Sequence, residues 1–325
     1  MSWSELDEHR RYWHDQVKID RYREALRATI DSTSVVLDLG CGTGLLGLLA
    51  LEAGAKRVYA VDHGSIVGVA SELATANGFA ERHVAIRAKS TDVELPELVD
   101  LVVGDQIGGF VFDAGVLEYY EDAAKRLLKP GGVMIPSGFE LRLGLVDDVS
   151  SSEFLGFWAT RPAGFDLSPV SALAANVSAP LRLRAEQFLG PTVASLRLAA
   201  HDARPFRLEA SLPVTRAGTL HGVAGMFEAT LATNVVMTND PTMTDTMLDR
   251  WQNLYPRSTA VEVAVGDSVG ATFNVRPRGD HVEWSVRIEH GGATIAQERH
   301  SSFLGRFLCA DDLGPLRRPD QDGHP

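Results

Sequence analysis

The stretch Asp38-Leu39-Gly40-Cys41-Gly42-Thr43-Gly44 sets a carboxylate beside three alternate glycines, and a second carboxylate, Asp62, lies 20 residues beyond Gly42. Alternate glycines let a ligand come close to the backbone, because each missing Cβ leaves room at the chain. Gly42-x-Gly44-x-x-Gly47 also matches the dinucleotide fingerprint, and Asp62 stands where a ribose-binding acid belongs. In a dinucleotide site the diphosphate rests on the N–H groups of the turn and of the following helix. Asp38 opposes that, since like charges about 4 Å apart cost roughly 4 kcal/mol at intermediate dielectric. S-adenosylmethionine has no phosphate, and its ammonium and sulfonium are both cations. The turn therefore favours a sulfonium methyl donor over a nicotinamide dinucleotide, and methyl transfer over hydride transfer.

The elements that hold this turn read clearly in the first part of the chain. "VVLDL" (35–39) is a continuous apolar strand, and a helix runs from Gly42 to Ala53, ended by Gly54. Strands are expected at 57–62, 83–88, 98–105 and 132–137, with helices at 65–78 and 110–128. Alternating strands and helices with short links predict an α/β Rossmann-like domain with a parallel sheet covered on both faces. After Pro136 the pattern changes to period-two alternation, as in "FELRLGLVDD", "LRLRAEQF", "ASLRLAAHD", "FRLEASLPV", "HGVAGMFEATL" and "HVEWSVRIEH". That is an antiparallel β-domain, sandwich or barrel. Between the two textures, 151–176 is aromatic and helical-looking, and an apolar segment of this kind needs a surface to cover it.

Composition narrows the function classes. Lys and Arg number 31 against 43 Asp and Glu, a net charge of −12 that leaves no basic excess for nucleic acid or an anionic membrane. The only cysteines, Cys41 and Cys309, form neither metal spacing nor a disulfide framework, which suits a reducing cytoplasm. The ten histidines are scattered, and no metal is expected. No run of apolar residues reaches membrane-span length, and "MSWSELDEHRRYWHDQ" has no signal-peptide core.

Several further stretches resemble the protein arginine methyltransferase family, over about residues 9–305. These are residues 93–137, "GFDLS" (164–168), "HGVAGMFEATL" (221–231) and "RWQ" (250–252), in addition to "DLGCGTG". The resemblance implies cofactor-covering helices over 1–30, the S-adenosylmethionine-binding domain over 31–137, and a β-barrel over 138–312. It also implies a helical dimerisation arm at about 151–176, inserted in the barrel and making a homodimer, with a disordered tail over 313–325. His9 and Lys18 fall on the helix that closes over the cofactor. Lys18 would pair with the methionyl carboxylate as a point charge and not as a bidentate fork. Asp38, Gly40, Cys41, Gly42 and Gly44 would line the methionine portion. Asp62 would hold the ribose, Ser90 and Thr91 correspond to the adenine rim, and His63 and Asp105 are further cofactor-binding candidates.

The acceptor end departs from the family. There, two glutamates nine residues apart clamp the guanidinium; here the corresponding positions are Asp105 and Ala114. Asp113 is a helix neighbour turned away by about 100°, and Glu118 lies one turn, about 5.4 Å, beyond Ala114 on the same face. Gly109 replaces an aromatic residue and implies a wider pocket. The expected Thr-His before Trp251 is Asp249-Arg250. Arg250 would repel a guanidinium and attract an electron-rich group, through a free face or while paired with Asp249 or another acid. Trp251 is read as barrel packing. Asp105 is the candidate for orienting the acceptor or taking its proton, with Asp113, Glu118 and Arg250 as further catalytic candidates. These departures predict methylation of a small molecule at nitrogen or oxygen, in specialised natural-product biosynthesis. The alternatives are arginine methylation of a protein or peptide with a divergent acidic loop, and a catalytically silent cofactor-binding dimer.

Overall fold

β1 (Val35–Leu39) is buried along its whole length and lies at the centre of a parallel sheet. β2 (Arg57–Asp62) and β3 (His83–Arg87) extend the sheet on one side, β4 (Val99–Val103) and β5 (Leu128–Ile135) on the other, in the order β3-β2-β1-β4-β5. Chain order reverses between β1 and β4, the place where open α/β sheets form a crevice at their carboxyl ends. The computed structural model describes residues 5–171, 174, 178–277 and 282–301. Cys309 and the tail expected over 313–325 lie outside the described residues.

Helices α1 (Glu5–His14) and α2 (Gln16–Thr29) precede the sheet, with Asp15 capping α2 by accepting from the Lys18 N–H at 3.1 Å. α3 (Leu45–Glu52) is apolar on all sides and buried except at Glu52, so it sits inside the domain. It starts three residues later than Gly42, because Gly42 (φ 52°) and Gly44 (φ 82°) are left-handed. α4 (Val67–Ala76) packs on β2 and β3.

The long helix expected over 110–128 is shorter. α5 runs from Val116 to Arg126, preceded by a 3-10 turn at Phe112–Ala114. The left-handed Gly115 (φ 70°) and the Asp113 carboxylate, which accepts the N–H groups of Gly109 (3.1 Å) and Phe110 (2.9 Å), hold 109–115 as a loop. Phe110 and Phe112, fully buried, project from that loop into the second half of the chain. Phe110 packs on Tyr255 and Phe273, and Phe112 on Phe206 and Trp284, with ring centroids 5.6–6.1 Å apart. One apolar core therefore runs through both halves.

The second half is antiparallel. Its strands are β6 (Gly138–Val146), β7 (Ala179–Leu181), β8 (Val193–Ala199), β9 (Phe206–Pro213), β10 (Gly218–Ala232), β11 (Val235–Thr238), β12 (Gln252–Val263), β13 (Ser268–Pro277), β14 (Val282–His290) and β15 (Ala293–Ser301). They form two sheets, β7-β12-β10-β6-β8 with β11 beside β10, and β15-β14-β13-β9, the antiparallel β-domain expected after Pro136. The break between them lies at the corner after β8, where the Asp202–Arg204 turn carries the chain to the other sheet. "LRLRAEQF" is a strand only at its first residue, since a 3-10 turn occupies Ala185–Gln187. The segment expected as a helical arm is helical again at Ser171 and Ala174 among its described residues, but its first helix, α6 (Val149–Phe157), gives way to 3-10 turns at Pro162–Gly164 and Ser168–Val170. Pro162, left-handed Gly164 and Pro169 keep it from continuing as a helix. No helix among the described residues is long and apolar enough to cross a membrane.

Candidate active site

The crevice at the end of β1 opens into a cavity of about 270 Å³. Its lining includes the carboxylates of Glu8, Asp38, Asp62 and Asp105 and a single lysine or arginine, Lys18. Asp62 ends β2, and its two oxygens accept the N–H groups of Gly42 (3.0 Å) and Gly64 (2.8 Å). Both oxygens are thereby fixed while keeping lone pairs for a diol. Asp38 is the buried penultimate residue of β1, and its Oδ2 accepts the Gly47 N–H at 2.7 Å. Burial pushes its carboxyl up to about 7, against the pull of that N–H and with help from the negative charge of Asp62.

The glycines of the turn are left-handed, and neighbouring side chains fill the room their missing Cβ atoms leave. A Cβ on Gly40 would lie 1.6 Å from the Gln106 Nε2, and one on Gly42 would lie 2.1 Å from the His9 Cε1. His9 and Gln106 thus rest against the turn. Cys41 and His63 also line the cavity; burial pushes the Cys41 thiol up, and His63 is 82% exposed. Gly44 is placed elsewhere, since its missing Cβ lets the turn meet Ala70 of α4. Ser90 and Thr91 are also outside the lining. They lie in the turn after β3, where the Ser90 carbonyl accepts from Arg126 and the Thr91 hydroxyl bonds Asp92.

A second cavity, about 170 Å³, lies between α1, the loop after β4 and the segment before β12. Tyr12, Lys18, Asp105 and Gln106 line both cavities and form the wall between them. Asp105 is the junction. Lys18 Nζ donates to its Oδ2 at 2.8 Å, and Arg250 Nη2 lies 2.9 Å from both oxygens. Burial alone would raise the Asp105 carboxyl, but Arg250 and then Lys18 outweigh it and hold it below the usual range. Arg250 is therefore paired with Asp105 and not with Asp249, whose partner is Arg182. A carboxylate held by two cations is a weak base, so the proton-accepting role expected for Asp105 is not supported by its surroundings.

The other acceptor candidates are not brought to this cavity. Asp113 is tied to the Gly109 and Phe110 N–H groups and accepts from Asn253 Nδ2 at 2.8 Å, a structural role for a buried carboxyl whose burial raises it. Glu118 lies in the first turn of α5, outside the lining. Gly109 does not widen the pocket, because a Cβ there would lie 2.4 Å from Asn253 Oδ1 and 3.2 Å from Trp251 Cδ1. Trp251 lines the cavity, with the Arg11 guanidinium 5.6 Å over its ring.

Sequence reasoning singled out Arg250 but missed the amides that hold this loop with it. Asn239 Nδ2 donates to the carbonyls of Gly109 (2.7 Å) and Trp251 (2.9 Å), Gln252 Nε2 to those of Asn239 (2.6 Å) and Arg250 (3.1 Å), and Arg250 Nη1 to that of Gly108 (3.2 Å). No spacing announces such a set, because its members lie more than 100 residues from the loop they grip.

Comparison with known proteins agrees with this architecture. The family described as Ribosomal protein L11 methyltransferase (PrmA) matches residues 23–150. Protein arginine N-methyltransferase 1 of Schizosaccharomyces pombe is 34% identical over 173 residues, covering 52% of this chain and 51% of that protein. Protein arginine N-methyltransferase 1 of Chlamydomonas reinhardtii is 29% identical over 237 residues, covering 70% and 68%. The chain spans about half the length of several of these relatives, 51% and 52% of the S. pombe and Dictyostelium discoideum proteins. Among solved structures, the Trypanosoma brucei PRMT1 enzyme–prozyme heterotetrameric complex with AdoHcy superposes with a TM-score of 0.77 at 21% identity, over 90% of this chain and 96% of that one. Arabidopsis thaliana protein arginine methyltransferase 10 gives 0.75 at 20% identity, over 91% and 98%. A parallel Rossmann-like sheet joined to antiparallel sheets, with an acidic crevice at its switch point, is thus related to the protein arginine methyltransferases, within the class I S-adenosylmethionine-dependent methyltransferases.

Proposed function

We propose that this chain transfers a methyl group from S-adenosylmethionine to an acceptor held in the second cavity. The observation that carries the reading is the pair of cavities sharing one wall, the first lined by four carboxylates and Lys18. That lining suits a ligand with two cationic centres and one carboxylate, and opposes a diphosphate. S-adenosylmethionine supplies a methyl carbon on a sulfonium, already a good leaving group. Asp62 is placed to accept the ribose hydroxyls, Asp38 to face the cationic portion, and Lys18 to donate to the ligand's carboxylate. Tyr12, Asp105 and Gln106 line both cavities and so stand where donor and acceptor would meet. Alignment of this kind contributes roughly 7–11 kcal/mol in well-oriented reactions.

Two readings of the acceptor are each favoured by something specific. The relatives' names, all protein arginine N-methyltransferases, make a peptide arginine the leading candidate. The site favours a non-arginine acceptor, because Asp105 is consumed by two cations and Ala114 supplies no second acid. Nothing in the comparisons speaks for natural-product biosynthesis. A homodimer through the segment around α6 belongs to the same proposal, supported by Phe157 (50%) and Phe165 (73%), which are exposed there. The test is transfer of labelled methyl to an Arg-Gly-rich peptide and to a panel of amines, phenols and carboxylic acids, alongside calorimetry with S-adenosylhomocysteine and NAD. Homocysteine-compound binding with label in an acceptor is the expected result. NAD binding without it would overturn the donor assignment, and tight binding with no transfer to any acceptor would favour the silent dimer.

A further inference from the structure

Cations and carboxylates are equal in number around the second cavity, Arg11, Lys18 and Arg250 against Asp15, Asp105 and Asp249, but they are not equally available. Asp105 is held by Lys18 and Arg250. Asp249 is turned to Arg182. Asp15 is 8% exposed and accepts the N–H groups of Lys18 (3.1 Å) and Asp249 (3.0 Å). Arg11, by contrast, is exposed over Trp251 and makes no ion pair among the described residues. The cavity therefore offers no pair of open carboxylates to a cation, and presents a guanidinium at its mouth.

Resting on the methyl-donor reading, we infer that the acceptor attacks through a carboxylate oxygen, and that Arg250 sets this preference by neutralising Asp105 and pinning its loop. Arg250 is 12% exposed and bonds both Asp105 oxygens together with the Gly108 carbonyl. It acts through Asp105 and is a positioning residue. An anionic oxygen also removes the need for a base. Its lone pair forms the oxygen–methyl bond, the sulfur–methyl bond breaks with its electron pair going to sulfur, and no proton changes place. The products are a neutral ester and S-adenosylhomocysteine. A guanidinium would have to lose a proton, and no carboxylate here is placed to take it.

The test uses bisubstrate probes: S-adenosylhomocysteine extended at sulfur by one short arm ending in carboxylate, carboxamide or guanidinium. Each affinity is divided by that of S-adenosylhomocysteine for the same variant, so effects on folding or on the donor cavity cancel. The carboxylate arm is expected to bind the unmodified protein at least tenfold tighter than the carboxamide arm, about 1.4 kcal/mol, with the guanidinium arm weakest. Arg250→Met exposes the Asp105 charge and should reverse the order of carboxylate and guanidinium. Arg250→Lys keeps the charge and should keep the order with a smaller ratio, which also covers the case in which Arg250→Met does not fold. A guanidinium or carboxamide arm that binds the unmodified protein as tightly as the carboxylate arm overturns the inference. Failure of S-adenosylhomocysteine itself to bind overturns the donor reading instead.

Discussion

The two ends of the crevice are built in opposite ways. The donor end comes largely from one continuous stretch, residues 38–64, in which backbone N–H groups of Gly42, Gly47 and Gly64 fix the two acids. The acceptor end is assembled across the chain: Arg250 reaches Asp105 over 145 residues, Asn253 reaches Asp113 over 140, and Asn239 reaches Gly109 over 130. A locally built site depends on its own turn, whereas a site built at a distance depends on every element between its parts. The first should tolerate damage elsewhere, and the second should not.

Phe110→Ala tests this contrast most severely. Removing a buried ring that touches Tyr255 and Phe273 should cost about 3–5 kcal/mol, measured by denaturant unfolding, and should impair acceptor turnover well beyond S-adenosylhomocysteine binding. Equal losses at both ends would break the contrast. Asp62→Ala comes next. Losing two charge-assisted acceptors should weaken S-adenosylhomocysteine binding by about 3 kcal/mol, roughly a hundredfold, in calorimetry. Asn253→Ala should cost about 1–3 kcal/mol of stability by leaving the buried Asp113 short of a donor, with little change in donor affinity.

The smallest effect is one of pH. In the free protein the Asp38 carboxyl titrates at about 7, and a cationic ligand favours its ionised form. Affinity for S-adenosylmethionine should therefore rise with pH and level off above 7, by roughly tenfold between pH 6 and 8 as the ionised fraction grows. The rise should vanish in Asp38→Asn. A flat profile in the unmodified protein would mean that Asp38 does not face the cationic portion.

The same contrast explains what was legible in the sequence. β1, β2 and the glycine turn follow from a contiguous apolar run and from residues only glycine can supply, so they appear where the pattern puts them. The relation to the arginine methyltransferases was legible too, because motif order survives at about one identity in three. Residues 110–115 were expected to open the helix over 110–128 and instead form a loop and a 3-10 turn. What shapes them is the sheet surface that receives the two rings, invisible in local periodicity. Arg250 was noticed, but its partner could not be chosen between Asp249 and a distant acid without the fold. Asn239, Gln252 and Asn253 carried no signal at all, since amides in a β-rich stretch look like ordinary turn residues.

Phe110 and Phe112 have one more consequence. A fragment cut at the end of β5 would leave the β-rich remainder with a hollow where two aromatic rings belong, lined by Tyr255, Phe273, Phe206 and Trp284. Neither portion is then a self-sufficient module that could be shuffled onto another enzyme. The chain should melt in a single cooperative transition, and any change in one portion is felt as strain in the other.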